Sequence, residues 1–240
     1  MPGLLALVGG DEFNPGNEEQ DRLLAAAAGP GPAFVVPTAA ARQKPLQSVA
    51  HATAWFRQFR LELQELPVLK RTDANSAAIA KRARAGGFFY LVGGDPGLVA
   101  KVLRGSAVWK AIFEAWREGA ALAGSSAGAM ALCSHTLVMA SWPHHYNRRP
   151  LEALGVVPKT AVLPHYNAFG QRWVESARAA APDLDLLGID ERSAAVWDGR
   201  EWRAAGPGAV TVIKGSRVTS FISGAKVSGL RVPARMLPQQ

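Results

Sequence analysis

The residues best placed to do chemistry cluster in one short stretch, Ala120 to Cys133, which reads A-A-L-A-G-S-S-A-G-A-M-A-L-C. Its centre is a G-x-S-x-G turn, Gly124 to Gly128, with Ser126 in the middle. An apolar run, Ala120 to Ala123, has strand character, and the residues after the turn are small and suit a helix. A sharp strand-to-helix turn of this kind holds its serine in a strained backbone and lifts the hydroxyl above the sheet edge. The helix start also offers free N–H groups, led by Ala127, to a developing oxyanion. Ser126 is therefore the candidate nucleophile. The plain alternative is a small-residue turn with no chemistry.

A serine hydroxyl needs a base near neutral pH, and histidine is the usual one. Of the five histidines, His165 sits just past the end of a predicted strand, Thr160 to Leu163, on the edge where Ser126 would lie. His51 falls inside a predicted helix, and His135 comes straight after the serine helix. His144 and His145 read as part of a surface loop, Ser141 to Tyr146; no acidic or thiolate ligands cluster with them, so no metal and no cofactor is expected. His165 is the candidate base. Glu191 and Asp190 follow the next strand, Glu152 stands between Ser126 and His165 in sequence, and Asp95 lies in a G-G-D loop nearer the substrate. Any of these carboxylates could orient the imidazole. The Ala127 N–H pairs naturally with a glycine N–H from Gly93–Gly94 as an oxyanion hole.

Stepping along the chain, strand and helix alternate from Leu4 to about Leu132. Strands are expected at Leu4–Val8, Ala33–Pro37, Leu66–Leu69, Phe88–Val92 and Ala120–Ala123. Helices are expected at Glu18–Ala28, Pro45–Arg60, Ser76–Arg84, Leu98–Arg104 and Ser106–Glu118. Continuously apolar strands mark a parallel sheet covered on both faces, with ligands beyond the carboxyl ends of its strands. Gly9–Gly10, Gly93–Gly94 and Gly124–Ser126 all follow such strands and so share one edge. Beyond the serine helix the pattern predicts a helical turn at Leu151–Leu154, a helix at Gln171–Ala181 and a strand at Leu186–Ile189. Short runs at Ala194–Asp198, Glu201–Ala204, Ala209–Ile213 and Val218–Ile222 predict a β-meander appended to the parallel sheet. The fold class is thus α/β: a doubly wound, mostly parallel sheet with helices on both faces and a small C-terminal antiparallel β extension.

The chain has 240 residues, 48% of them hydrophobic, enough for one domain over 1–240 with a loosely ordered tail at about 223–240. One cysteine, Cys133, excludes an internal disulfide framework and fits a reducing compartment. Met1 to Gly9 lacks the basic start of a signal peptide, and no apolar run has transmembrane length, so a cytoplasmic location without membrane contact is expected. The formal net charge is +8, but the basic residues are dispersed and no nucleic-acid-binding signature accompanies them. A solvated basic surface, or a pull on anionic substrates, accounts for the excess, and nucleic acid is not an expected partner. A homodimer is compatible with the sequence.

Together these residues match a known pattern. The chain resembles the serine peptidases of the dipeptidase E and cyanophycinase group, which share the class I glutamine-amidotransferase-like fold. Its G-x-S-A-G-A elbow is Gly124–Ala129, its G-G-D loop is Gly93–Asp95, its strand-end histidine with an aromatic is His165–Tyr166, and its G-I-D-E-x-S-A run is Gly188–Ala194. The resemblance spans about Leu4 to Ile213. It implies a hydrolase of small peptides, such as aspartyl dipeptides, with Ser126 as nucleophile and His165 as base. It further implies Gly94 with Ala127 as oxyanion hole, and Glu191, or in second place Glu152, as the acid. Cyanophycinases usually carry Gln where this chain has Pro96, D-Q before the histidine and arginines after it. Here Leu163–Pro164 precede His165, which is closer to the dipeptidase branch, and Arg172 is the first basic residue to follow. Asp95, Arg172 and Arg178 are the substrate-binding candidates; a guanidinium can clamp an acidic side chain, although both arginines also suit an exposed helix face. Amidotransferase chemistry is disfavoured because it uses cysteine at the elbow. An α/β-hydrolase esterase would place its acid before its histidine.

Overall fold

The apolar runs LALV, AFVV, FFYL and ALAGS are buried along their whole length, which a strand can be only if both faces of its sheet are covered. The computed structural model describes residues 1–141 and 144–237. Trp142 and Pro143 of the expected loop, and the last three residues of the expected tail, lie outside them. In chain order the elements begin with β1 (Leu5–Val8), α1 (Glu18–Ala26), β2 (Ala33–Val36), α2 (Pro45–Phe56), β3 (Leu63–Glu65), α3 (Arg71–Ala74) and α4 (Ala77–Arg84). Then come β4 (Phe88–Leu91), α5 (Pro96–Leu103), α6 (Ala107–Arg117), β5 (Ala121–Ser125) and α7 (Ala127–Leu132). The remainder is β6 (His135–Met139), β7 (Arg148–Glu152), β8 (Thr160–Leu163), α8 (Val174–Ala180), β9 (Asp185–Ile189), β10 (Ala194–Trp197), β11 (Trp202–Ala205), β12 (Val210–Lys214) and β13 (Arg217–Phe221).

Seven strands form the main sheet in the order β11-β10-β1-β5-β4-β2-β3. The five from β1 to β3 run parallel, and β10 and β11 add antiparallel beside β1. Alternate strand residues face opposite layers. Leu5, Leu7, Phe34 and Leu91 pack with Trp109, Ile112 and Trp116 of α6, while Ala6, Val8, Val35 and Tyr90 pack with Leu24 of α1 and Phe56 of α2. Sharp helix starts follow local sequence. Ser106 caps α6 by accepting the Trp109 N–H at 3.1 Å, and Asp95 caps α5 by accepting the Leu98 N–H at 3.0 Å. Among the described residues no helix is long and apolar enough to cross a membrane.

Three expectations are corrected. The third strand is Leu63–Glu65, not Leu66–Leu69, because Pro67 cannot donate to a ladder. Leu151–Leu154 is not a helical turn: β6 and β7 form a two-stranded antiparallel ribbon, with Pro150 opposite Leu137 at an edge that tolerates its missing N–H. The late strands are not one appended meander. β10 and β11 join the main sheet, whereas β12 and β13 complete a second sheet, β13-β12-β9-β8, in which only β8 and β9 are parallel. The two sheets meet at the carboxyl end of β1. There Gly9 O accepts the His165 N–H at 2.7 Å, while the Gly9 N–H continues the β1–β10 ladder to Ser193 O at 2.9 Å.

One acid is buried within this frame. Asp21 of α1 has no solvent exposure; its Oδ2 accepts the Trp55 indole N–H at 2.7 Å, and Glu12, Glu18 and Tyr90 surround it. Burial pushes its carboxyl up to about 7; the Trp55 bond opposes this, and Glu12 and Glu18 add to it. The native state thus keeps a proton that the unfolded chain releases near pH 4. The resulting stabilisation is complete below that pH and is lost as pH rises to about 7. A three-unit shift corresponds to at most about 4 kcal/mol. Asp21→Asn, which keeps an acceptor for Trp55, is expected to unfold at a higher temperature than wild type at pH 8 and at nearly the same temperature at pH 4. An equal difference at both pH values would contradict the assignment.

Candidate active site

Ser126 sits between β5 and α7 with φ 47° and ψ −109°, a conformation rarely adopted by a residue with a side chain. Such strain, of order 1–3 kcal/mol, persists only where the surroundings over-determine it. Here they do. The Ser126 N–H donates to Val8 O at 3.0 Å, and Ser126 O accepts from Met130 N at 2.9 Å. A Cβ added to Gly128 would lie 2.2 Å from Leu91 O, so α7 approaches β4 as only glycine allows.

The hydroxyl of Ser126 lies 3.0 Å from His165 Nε2, and His165 Nδ1 lies 2.7 Å from Glu191 Oε1. Against a carboxylate, Nδ1 carries the proton, which leaves the Nε2 lone pair facing the serine hydroxyl. His165 is itself held in a positive-φ turn, φ 48°, whose carbonyl accepts from Ala168, Phe169 and Gly170. Phe169 stacks on the imidazole with centroids 4.9 Å apart. Gly10 backs the ring; a Cβ there would meet Cε1 at 2.3 Å. Asn167 Oδ1 accepts the Glu191 N–H at 3.0 Å, fixing the acid's backbone. Among the described residues, neither the Gly94 N–H nor the Ala127 N–H takes a protein partner.

The other sequence candidates separate. Glu152 is not brought to His165; it ion-pairs with Arg104 on the exposed face of the β6–β7 ribbon. Asp190 Oδ2 is occupied by the Ala209 N–H at 2.8 Å. Asp95 spends Oδ1 on capping α5, and its Oδ2 is 4.0 Å from Arg42. Arg178 donates to the Gly215 carbonyl at the β12–β13 turn, so it tethers α8 to that hairpin. Arg172 is exposed, three residues past Phe169, and donates to the Tyr146 hydroxyl at 2.6 Å. Among the described residues no group of three or more His, Cys, Asp or Glu side chains could hold a metal ion. A cavity of about 590 Å³ against α6 is lined by none of these residues.

The residue that sequence reasoning missed is Glu12. Its Oε1 accepts the Gly93 N–H at 2.7 Å and its Oε2 accepts the Ser125 hydroxyl at 2.9 Å. Only its position after G-G-D hinted at this, and nothing separated it from Asp11, Glu18 or Glu19 nearby.

The geometry brings Glu191, not Glu152, to the His165 imidazole. Glu191→Gln, which favours the wrong imidazole tautomer, is expected to lower turnover of a cleaved peptide by about 10⁴-fold. Glu152→Gln removes only a surface ion pair and is expected to leave turnover within about twofold of wild type. Steady-state hydrolysis of the same peptide by both variants decides between them.

Comparison with known proteins agrees with this architecture. Cyanophycinases of Trichormus variabilis and Nostoc sp. are each 28% identical to the chain over 222 residues, covering 89% of it and 74% of the relative. The crystal structure of a peptidase from an acI-B1 Actinobacterium superposes with a TM-score of 0.83 at 31% identity, covering 95% of this chain and 97% of that one. The model of peptidase family S51 matches residues 4–204, an extent that takes in the β1 loop, the elbow, His165 and Glu191, and the chain belongs to that family.

Proposed function

We propose that this chain is a serine peptidase that hydrolyses small peptides, aspartyl dipeptides among them, through an acyl-enzyme on Ser126. The observation that carries the reading is the Ser126–His165–Glu191 relay, at 3.0 Å and 2.7 Å, with the Gly94 and Ala127 N–H groups left without a partner among the described residues. Ser126 Oγ attacks the scissile carbonyl carbon while His165 Nε2 takes the hydroxyl proton. The carbonyl oxygen becomes an oxyanion and is received by the Gly94 and Ala127 N–H groups. The C–N bond breaks, His165 gives its proton to the leaving amine, and the acyl group stays on Ser126 as an ester. Water then attacks the ester, His165 takes a proton from it, and collapse returns that proton to Ser126 Oγ with release of the free acid. Glu191 holds the imidazole and stabilises the imidazolium in both halves.

The order Ser126, His165, Glu191 argues against an α/β-hydrolase esterase, which places its acid before its histidine. Arg172, exposed on the segment that follows His165, is the better placed of the two arginines to meet an acidic substrate side chain. A second reading, cyanophycin hydrolysis, is supported by the 28% identity to two cyanophycinases.

Purified protein offered α- and β-aspartyl dipeptides, neutral dipeptides and cyanophycin is expected to cleave the acidic dipeptides, with turnover reduced about 10⁶-fold in Ser126→Ala. Release from cyanophycin alone would favour the second reading. Full turnover by Ser126→Ala on every cleaved peptide would end the acyl-enzyme mechanism. A chain that cleaves none of them and resists a serine-directed fluorophosphonate would be a binding protein on a peptidase fold.

A further inference from the structure

The two bonds made by Glu12 join three loops that the sequence keeps far apart. Glu12 lies between β1 and α1, Gly93 follows β4, and Ser125 ends β5 next to the nucleophile. Resting on the peptidase reading above, we infer that Glu12 is a positioning residue: it bridges the oxyanion loop to the nucleophile elbow and thereby aims the Gly94 N–H.

The bridge is anchored at its own end. Asp11 and Phe13, on either side of Glu12, both adopt positive φ, 56° and 61°. Asp11 Oδ2 accepts from Arg192 Nε at 2.5 Å, and Asp11 O accepts from Asn17 Nδ2 at 2.8 Å. The Phe13 ring packs at 5.0 Å from Tyr90 and 6.2 Å from Phe56. Strained neighbours held this firmly leave the Glu12 backbone little freedom. Its side chain therefore transmits a fixed position.

At the far end, Gly94 lies between two tethered amides. The Gly93 N–H is taken by Glu12, and the Asp95 N–H donates to Ala39 O at 2.9 Å. Gly94 has φ 138°, and a Cβ there would sit 2.3 Å from the same Ala39 carbonyl. With both neighbours pinned, the intervening peptide has one orientation. The second carboxylate oxygen does the same for the elbow, since the fully buried Ser125 donates its hydroxyl to Oε2. One planar group thus sets the distance between the Gly94 donor and Ser126. A glutamine can keep this geometry: its carbonyl oxygen accepts from Gly93, and its amide donates to Ser125 Oγ.

The decisive comparison is Glu12→Ala against Glu12→Gln, with the peptide that wild type cleaves. A donor displaced by about 1 Å costs roughly 10²-fold in rate. Glu12→Ala is thus expected to lower kcat and kcat/KM together, by about 10- to 100-fold, with KM little changed. Glu12→Gln is expected to recover most of the loss. Wild-type kcat in Glu12→Ala, a loss confined to KM, or a glutamine variant as poor as the alanine one would each overturn the inference. Hydrogen exchange of the 92–96 and 124–128 segments gives a readout independent of turnover. Exchange should quicken in Glu12→Ala and return towards wild type in Glu12→Gln, with the rest of the chain unchanged. If wild type cleaves no peptide, the peptidase reading fails while the bridge is still judged by exchange. Identical exchange in wild type and Glu12→Ala would overturn the bridge.

Discussion

The backbone of Ser126 is the constraint on which the site depends. A residue at φ 47° and ψ −109° relaxes unless its neighbours forbid it. Three do so. β1 receives its N–H through Val8 O, α7 begins immediately after it, and Gly128 lets that helix press on the Leu91 carbonyl. The cost of the strained turn is met by the central strands of the main sheet, β1, β5 and β4, all fully buried. Strain at the serine and burial of the sheet are therefore one problem.

The histidine comes from a different sheet. β8 pairs with β9, not with β5 or β1, so no ladder fixes His165 relative to Ser126. The link runs chiefly through the His165 N–H to Gly9 O bond, with the Arg192 N–H to Gly10 O bond of the β9–β10 connection beside it. The G-G turn after β1 thus has two tasks: Gly9 docks the second sheet and Gly10 makes room for the imidazole. Glu191 reaches His165 because Tyr166 N–H bonds to Ile189 O, which sets the ends of β8 and β9 side by side. A serine on one sheet and a histidine and glutamate on the other meet only where the sheets abut.

Beneath the site lies a polar layer that a purely apolar core would lack. Glu12 bonds the loop and the elbow, and Asp21, fully buried on α1, is bonded to Trp55 and lies near Tyr90. A carboxyl taken out of water, wholly as Asp21 or in part as Glu12, is costly unless paired or protonated. Glu12 is paired, by an N–H and an O–H; Asp21 is held neutral over much of the ordinary pH range by its burial.

Much of this was legible in the linear sequence, for local reasons. Apolar runs such as FFYL must be buried strands, and the residues that follow parallel strands must share an edge, which puts Ser126 and the Gly93–Gly94 loop together. The helix beginning at Ser106 was legible because capping is a matter of a few adjacent residues, whereas Asp95, read as a loop residue, proved to cap α5. The β6–β7 ribbon was missed because Leu151–Leu154 reads as a helical turn, and pairing across a loop leaves no periodic trace. The division into two sheets was missed for the same reason: a strand's composition says that it is paired, not with what. The choice of Glu191 over Glu152 and the reach of Glu12 across 81 positions to Gly93 belong to tertiary structure alone. Sequence determined which residues could do chemistry and on which edge most of them lie, because periodicity and turn chemistry are short-range. Which carboxylate meets which partner was decided by the packing of loops, a long-range outcome that no local pattern encodes.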